Sequence, residues 1–159
     1  MMKEASVKCV VKDPLTSRYI LILETNDGFY LPINIGVFEA EAIYTELNKI
    51  VPPRPMTYDF ISGILTALDN VVVEKVIIAD YDNGIFKASL YLQNGGNTKC
   101  IDCRPSDAIA LSLRTKSPVF IEEQVLTKCK CFTKDCIKNE NSNILEEIIT
   151  DQGTTFWDV

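Results

Sequence analysis

The chain has 159 residues, is 47% hydrophobic and 24% charged, carries a net charge of −6 and contains no histidine. That length and apolar content suffice for one domain with a buried core. The negative charge argues against a sequence-independent grip on nucleic acid through neutralised phosphates, and the missing imidazole excludes a Ser-His-Asp triad and any histidine-ligated metal.

Met1 to Ser6 runs straight into a strand-like segment, and no apolar run approaches the roughly 18 residues that span a bilayer, so a cytoplasmic, soluble protein without membrane contact is expected. Ser6 to Asp13 reads as a strand, Asp13-Pro14 as a turn and Tyr19 to Glu24 as a second strand rich in large apolar residues. Asn26-Asp27-Gly28 supplies the positive-φ residues of a tight hairpin leading into Phe29 to Ile35, which gives an antiparallel opening to the sheet. Phe38 to Ile50 then spaces Ala40, Ile43, Leu47 and Ile50 along one helical face, and Pro52-Pro53 stops that helix. Arg54 lies on the stiff proline-locked connection that follows. Thr57 is the expected N-cap of a helix that carries Phe60, Ile61, Ile64, Leu65 and Leu68 at core spacing.

Three strands follow as a meander: Val71 to Tyr81, Ile85 to Gln93 after Asp82-Asn83-Gly84, and Thr98 to Cys103 after Asn94-Gly95-Gly96-Asn97. Pro105 suits the first turn of a helix from Ser106 to Arg114, with Ser106 or Asp107 able to cap its orphan amides. That helix is apolar around most of its circumference and is expected to be buried. Pro118 to Ile121 reads as a short strand. The expected division is a domain over 1–127 and a C-terminal tail over 128–159 with a short helix at Ile144 to Ile149. The fold class is α+β, a largely antiparallel sheet with three main helices.

Ile35 to Ile43 aligns with Cys103 to Leu111 at one constant offset, which pairs Glu39 with Asp107. Either a strand-strand-helix unit is duplicated, placing both carboxylates at related helix starts, or acidic residues and alanine simply make good helix starts. Six cysteines without an export signal are expected to stay reduced. Cys100-x-x-Cys103 with Cys129, Cys131 and Cys136 could form a thiolate zinc site, but ordinary thiols are the preferred reading because the first pair falls in a strand.

Glu39, Glu41, Asp59 and Asp107 are the acidic candidates, and Arg54, Arg104 and Arg114 the basic ones. Three carboxylates converging on Mg²⁺ or Mn²⁺, with arginines clamping a phosphate, would suffice for phosphodiester hydrolysis without a histidine. Each carboxylate alone is also explained as a cap or a solvated charge, and Arg104 with Asp107 as a structural ion pair. No glycine-rich phosphate loop is present.

The blocks LPINIGVFEAEAI (Leu31 to Ile43), PPRPMTYDF (Pro52 to Phe60), NGIFKASLYL (Asn83 to Leu92) and CRPSDAIALSLRTKSPVF (Cys103 to Phe120), followed by EEQVL, stand in an order and spacing that resemble the bifunctional nuclease domain family over about residues 5–127. The resemblance implies a compact α+β domain and nuclease activity on DNA and RNA. It also implies that Glu39, Arg54, Thr57, Asp59, Arg104, Ser106 and Asp107 are the family's recurring polar positions. Many relatives have a histidine where this chain has Tyr58, so an imidazole mechanism does not transfer, whereas a carboxylate mechanism does.

The leading expectation is a divalent-metal-dependent nuclease. In it, Glu39, Asp59 and Asp107 bind Mg²⁺ or Mn²⁺ or orient water, and Arg54 and Arg104 hold the phosphate of a nucleic-acid substrate. The rival is a non-catalytic module that binds a small anionic ligand or a protein partner. The sequence leaves the oligomeric state open; a homodimer through an edge strand is one arrangement that small antiparallel domains adopt.

Overall fold

The structure, a computed structural model, describes residues 1–129 and 131–133. Its elements are β1 (Met2–Lys12), β2 (Tyr19–Thr25), β3 (Phe29–Ile35), α1 (Val37–Leu47), α2 (Thr57–Ala67), β4 (Val71–Asp82), β5 (Ile85–Asn94), β6 (Asn97–Cys103), α3 (Pro105–Thr115), β7 (Val119–Glu122), α4 (Glu123–Lys128) and β8 (Phe132–Thr133). All described strands join one sheet in the order β6-β5-β4-β7-β1-β2-β3-β8. Every neighbouring pair is antiparallel except β4 with β7. The class is therefore α+β, and no helix among the described residues is long and apolar enough to cross a membrane.

The turn residues set the meanders. Asn83 and Gly84 stand at φ 48° and 86° between β4 and β5, the pair of positive angles that a two-residue hairpin needs to match strand twist. Two such three-stranded meanders, β1-β2-β3 and β4-β5-β6, flank the short β7.

Of the two readings left open for the Glu39 and Asp107 helix starts, the element boundaries favour the repeat. Strands β3 and β6 have the same length, as do helices α1 and α3. One constant offset carries Phe29–Ile35 onto Asn97–Cys103 and Val37–Leu47 onto Pro105–Thr115. The repeated unit is larger than a strand-strand-helix, because β1 and β4 open the two meanders in corresponding positions.

Helix α3 is the buried one, as its sequence implies: Ala108, Ile109, Ala110 and Leu111 lie in the core with Ile43 of α1 and Ile78 of β4. Helices α1 and α3 pack on each other, and α2 packs on α3 from outside. That outer position reverses the expectation for α2. On α2, Tyr58, Ile61 and Leu65 pack partly against the core, whereas Phe60 and Ile64 and the flanking Met56 and Leu68 are exposed. Helical periodicity marks a face as apolar, and among the described residues only the side turned to α3 and β4 has neighbours to pack on.

Helix α1 also ends three residues sooner than its spacing suggests. Asn48 caps it, Lys49 turns to φ 54°, and Ile50 lies outside, half exposed. Two short elements carry no clear sequence signal: α4, and β8, which pairs with β3 and stacks Phe132 on Tyr30 with ring centroids 5.6 Å apart. The helix expected at Ile144 to Ile149, Cys136 and the rest of the tail from 134 onward lie outside the described residues.

This layering predicts an asymmetry in urea denaturation. Ile43→Ala, at a fully buried position, should lose about 2–5 kcal/mol, whereas Phe60→Ser should change stability by no more than about 0.5 kcal/mol. A large loss at Phe60 would contradict the outer placement of α2.

Candidate functional site

The three sequence-predicted carboxylates share one structural position. Glu39, Asp59 and Asp107 are each the third residue of a helix, in α1, α2 and α3, where a negative charge is stabilised by the unsatisfied amides and the helix dipole. Gly36, Met56 and Arg104 occupy the cap positions, so Thr57, Ser106 and Asp107, expected as caps, already lie inside their helices, while Pro105 opens the first turn of α3 as expected. Asp59 Oδ2 accepts the Met56 N–H at 2.9 Å, closing the first turn of α2 from inside the helix instead of from Thr57.

The structure brings Glu39 and Asp107 together on one guanidinium. Arg104 donates from Nη2 to Glu39 Oε1 at 2.7 Å and to Asp107 Oδ1 at 2.8 Å, and from Nε to Asp107 Oδ2 at 2.6 Å. The Tyr58 hydroxyl donates to Asp107 Oδ1 at 2.5 Å. Arg104 is 64% exposed over this arrangement, while Glu39 beneath it is 13% exposed. The guanidinium thus has a bound edge and an open one.

Gly36 is the counterpart of Arg104 in the first repeat, and its lack of a side chain is what lets Glu39 fold back. A Cβ at Gly36 would lie 2.2 Å from Glu39 Oε2.

A second pair lies beside the first. Arg114, with only 6% of its side chain exposed, donates from Nε to Asp59 Oδ1 at 2.5 Å, and its other nitrogens donate to the carbonyls of Ala110 and Ala42. Its guanidinium also sits 5.7 Å from the Tyr58 ring centroid. Arg114 therefore ties α2, α3 and α1 together. Arg54 stands apart, exposed on its proline-rich connection with no ion pair among the described residues. Glu41, on α1, is likewise exposed and outside the cluster.

The electrostatics follow from these contacts. Burial pushes the Asp107 carboxyl upward, but hydrogen bonds from Arg104 and Tyr58 outweigh it and hold its pKa below the usual carboxylate value. Asp59 is held low in the same way by Arg114 and the Met56 amide against its own burial. Burial, then the bond to Asp107, pushes the Tyr58 hydroxyl far above its ordinary pKa, so it stays protonated and donates. The bonds to Asp107 and Glu39 raise Arg104 further still, which keeps it cationic.

These commitments bear on a metal. Glu39 and Asp107 share the single charge of Arg104, and Asp59 faces Arg114 and its own helix. Among the described residues no three Asp, Glu, Cys or His side chains are grouped to hold an ion. The donor set in this arrangement does not fit a three-carboxylate site for Mg²⁺ or Mn²⁺.

Beside Arg104 opens a groove of about 350 Å³, lined by Arg18, Asn34, Gly36, Phe86, Pro105 and Ser106 together with Ile33, Ile35, Gly84 and Ile85. It lies where the ends of β3 and β6 feed α1 and α3, between the two repeats. Sequence reasoning missed Arg18 and the groove, because Arg18 sits in an ordinary loop after β1. The equivalence of Gly36 and Arg104 in the repeat was the available signal.

With this geometry in view, the sequence profile of the bifunctional nuclease domain matches residues 21–134. The chain belongs to the bifunctional nuclease domain family. An uncharacterized protein of Mycobacterium tuberculosis is 35% identical over 148 residues, which cover 93% of this chain and 88% of that protein. Bifunctional nuclease 1 of Oryza sativa subsp. indica is 28% identical over 132 residues, 76% of this chain but 40% of the rice protein. The bifunctional nuclease of Oryza minuta is similar to the same extent. In this member of the family, the junction motif Cys103 to Asp107 and the helix start at Gly36 to Glu39 meet at a single arginine.

Two outcomes follow. Gly36 has φ −76°, so Gly36→Ala should fold with an unchanged far-UV circular dichroism spectrum while its Cβ drives Glu39 off Arg104; a crystal structure of the variant that kept the 2.7 Å contact would contradict this. The depressed Asp107 pKa contributes stability that is complete above the ordinary carboxylate value of 3.8 and is lost as pH falls below it. Acid unfolding of Asp107→Asn should therefore depend less steeply on pH below about 4 than that of the parent chain, and identical acid limbs would refute the assignment.

Proposed function

We propose that this protein hydrolyses phosphodiester bonds in DNA or RNA, with the scissile phosphate held by Arg104 at the start of α3. The observation that carries the reading is the half-open guanidinium flanked by two carboxylates at the meeting point of two helix N-termini, in a chain of the bifunctional nuclease domain family. A phosphate at a helix start gains from the oriented amides as well as from the cation.

Each residue has a distinct part in this reading. Arg104 offsets the charge that grows on the phosphate oxygens. Glu39 accepts Arg104 through Oε1 alone, which leaves Oε2 to take a proton from the attacking water as its oxygen bonds to phosphorus and to return that proton to the oxygen that leaves. Asp107 and Tyr58 keep the guanidinium in its plane. Arg54 supplies a second cationic contact to the strand, and Asp59 with Arg114 fixes α2 behind Tyr58. Mg²⁺ or Mn²⁺ held by Glu39, Asp59 and Asp107 would first have to displace both arginines, so the phosphate is assigned to the guanidinium and the cation is a variable of the assay.

A non-catalytic anion-binding module is the second reading. It is favoured by the helix-start position of all three carboxylates, which helix chemistry and arginine pairing explain without any reaction.

Single-stranded RNA and DNA incubated with the purified protein, with and without Mg²⁺ or Mn²⁺, separate the two. Hydrolysis is expected, with Arg104→Gln lowering kcat/KM about 10²–10³-fold and Glu39→Gln lowering it with little change in KM. Undiminished cleavage by both variants would remove the proposed site. No cleavage under any cation condition would favour the binding module.

A further inference from the structure

The groove beside Arg104 contains a polar group that the fold does not use. Ser106 is 5% exposed, yet its hydroxyl makes none of the side-chain hydrogen bonds found at this junction, where Arg104, Asp107 and Tyr58 bond one another. Among the described residues no fully occluded side-chain oxygen or nitrogen lacks a partner. The Ser106 hydroxyl therefore keeps access to solvent, and Ser106 is one of the residues that line the groove. A nearly enclosed hydroxyl without a protein partner is satisfied by water or by a ligand that takes the water's place.

The remaining lining is divided in chemistry. Arg18 and Arg104 contribute two guanidinium groups, and Arg18 forms no ion pair among the described residues. Ile33, Ile35, Ile85 and Phe86 contribute apolar surface, with Phe86 backed by Tyr81 at 4.6 Å between ring centroids. Cations with a hydroxyl donor suit a phosphate. Apolar side chains with an aromatic ring suit a planar heterocycle. A volume near 350 Å³ is at the small end of ligand sites, a scale that suits one nucleotide.

We propose that this groove is a subsite for one nucleoside monophosphate unit, with the phosphate between Arg18, Arg104 and Ser106 and the base against Ile85 and Phe86. The unit is either a free mononucleotide or one unpaired nucleotide of a strand. The assignment rests on the reading of Arg104 as the phosphate-holding group, and it adds Arg18 and Ser106 as specificity residues that choose unpaired over paired nucleic acid.

Equilibrium binding of AMP to the full chain tests this without any bond to cleave. AMP should bind saturably, with adenosine and inorganic phosphate each at least about tenfold weaker. Arg18→Gln should weaken AMP about tenfold, the loss of one charge-assisted contact. Ser106→Ala should weaken it severalfold while leaving the thermal midpoint unchanged, since the hydroxyl has no partner among the described residues. Competition by a single-stranded oligonucleotide but not by its duplex would identify the unit as part of a strand, and AMP binding without such competition would identify it as a free nucleotide. AMP that fails to bind, or that binds both variants as tightly as the parent chain, overturns the subsite even if the protein cleaves nucleic acid. Conversely, binding lost in both variants of a protein that cleaves nothing upholds the subsite and removes only the hydrolytic reading.

Discussion

The interaction on which this architecture turns is the bond between Arg104 and the two carboxylates Glu39 and Asp107. One carboxylate comes from each half of a duplicated chain, and one arginine serves both. A symmetric pair of arginines would have crowded the junction. Glycine at position 36 instead opens the space into which Glu39 turns. The asymmetry converts two similar helix starts into one composite site. It also leaves half of the guanidinium facing outward, where a further anion can reach it.

The same residues answer a local need and a long-range one. At the third position of a helix, an acidic side chain offsets the unpaired amides whether or not anything else is near. Glu39 and Asp107 do this and also hold Arg104, whereas Asp59 bonds its own Met56 amide and the buried Arg114. Arg114 is the structural cation: it is enclosed, it reaches carbonyls on two helices, and loss of its carboxylate would leave a charge with little solvent. Arg104 is the exposed cation, held in place by groups that do not consume all of it. Tyr58 links the two pairs, touching Asp107 through its hydroxyl and Arg114 through its ring.

Much of this was legible in the residues. Asparagine-glycine turns and alternating apolar runs located the six main strands, and a constant spacing between two helix starts raised a duplication as one of two readings. The all-round apolar character of Ser106 to Arg114 marked α3 as central. What the chain did not reveal was which apolar faces are covered. Phe60, Ile64 and Leu68 have the spacing of core residues but lie on the outside of α2, because periodicity records a face and not its neighbour. Convergence was equally hidden. Glu39 and Arg104 are separated by 65 residues, Asp59 and Arg114 by 55, and nothing local says which arginine takes which carboxylate. Arg18 carried no motif at all. The two-residue β8 and the six-residue α4 are too short for any periodicity to register.

The account stands or falls on whether Arg104 couples the two halves of the molecule. A double-mutant cycle on unfolding free energy with Glu39→Gln, Arg104→Gln and the double variant measures that coupling directly. The account predicts a favourable interaction of about 0.5–1 kcal/mol, in the range of a partly exposed pair in contact, and one that shrinks as salt is added. Strict additivity of the two substitutions at low salt would mean that the guanidinium joins nothing, and would contradict it.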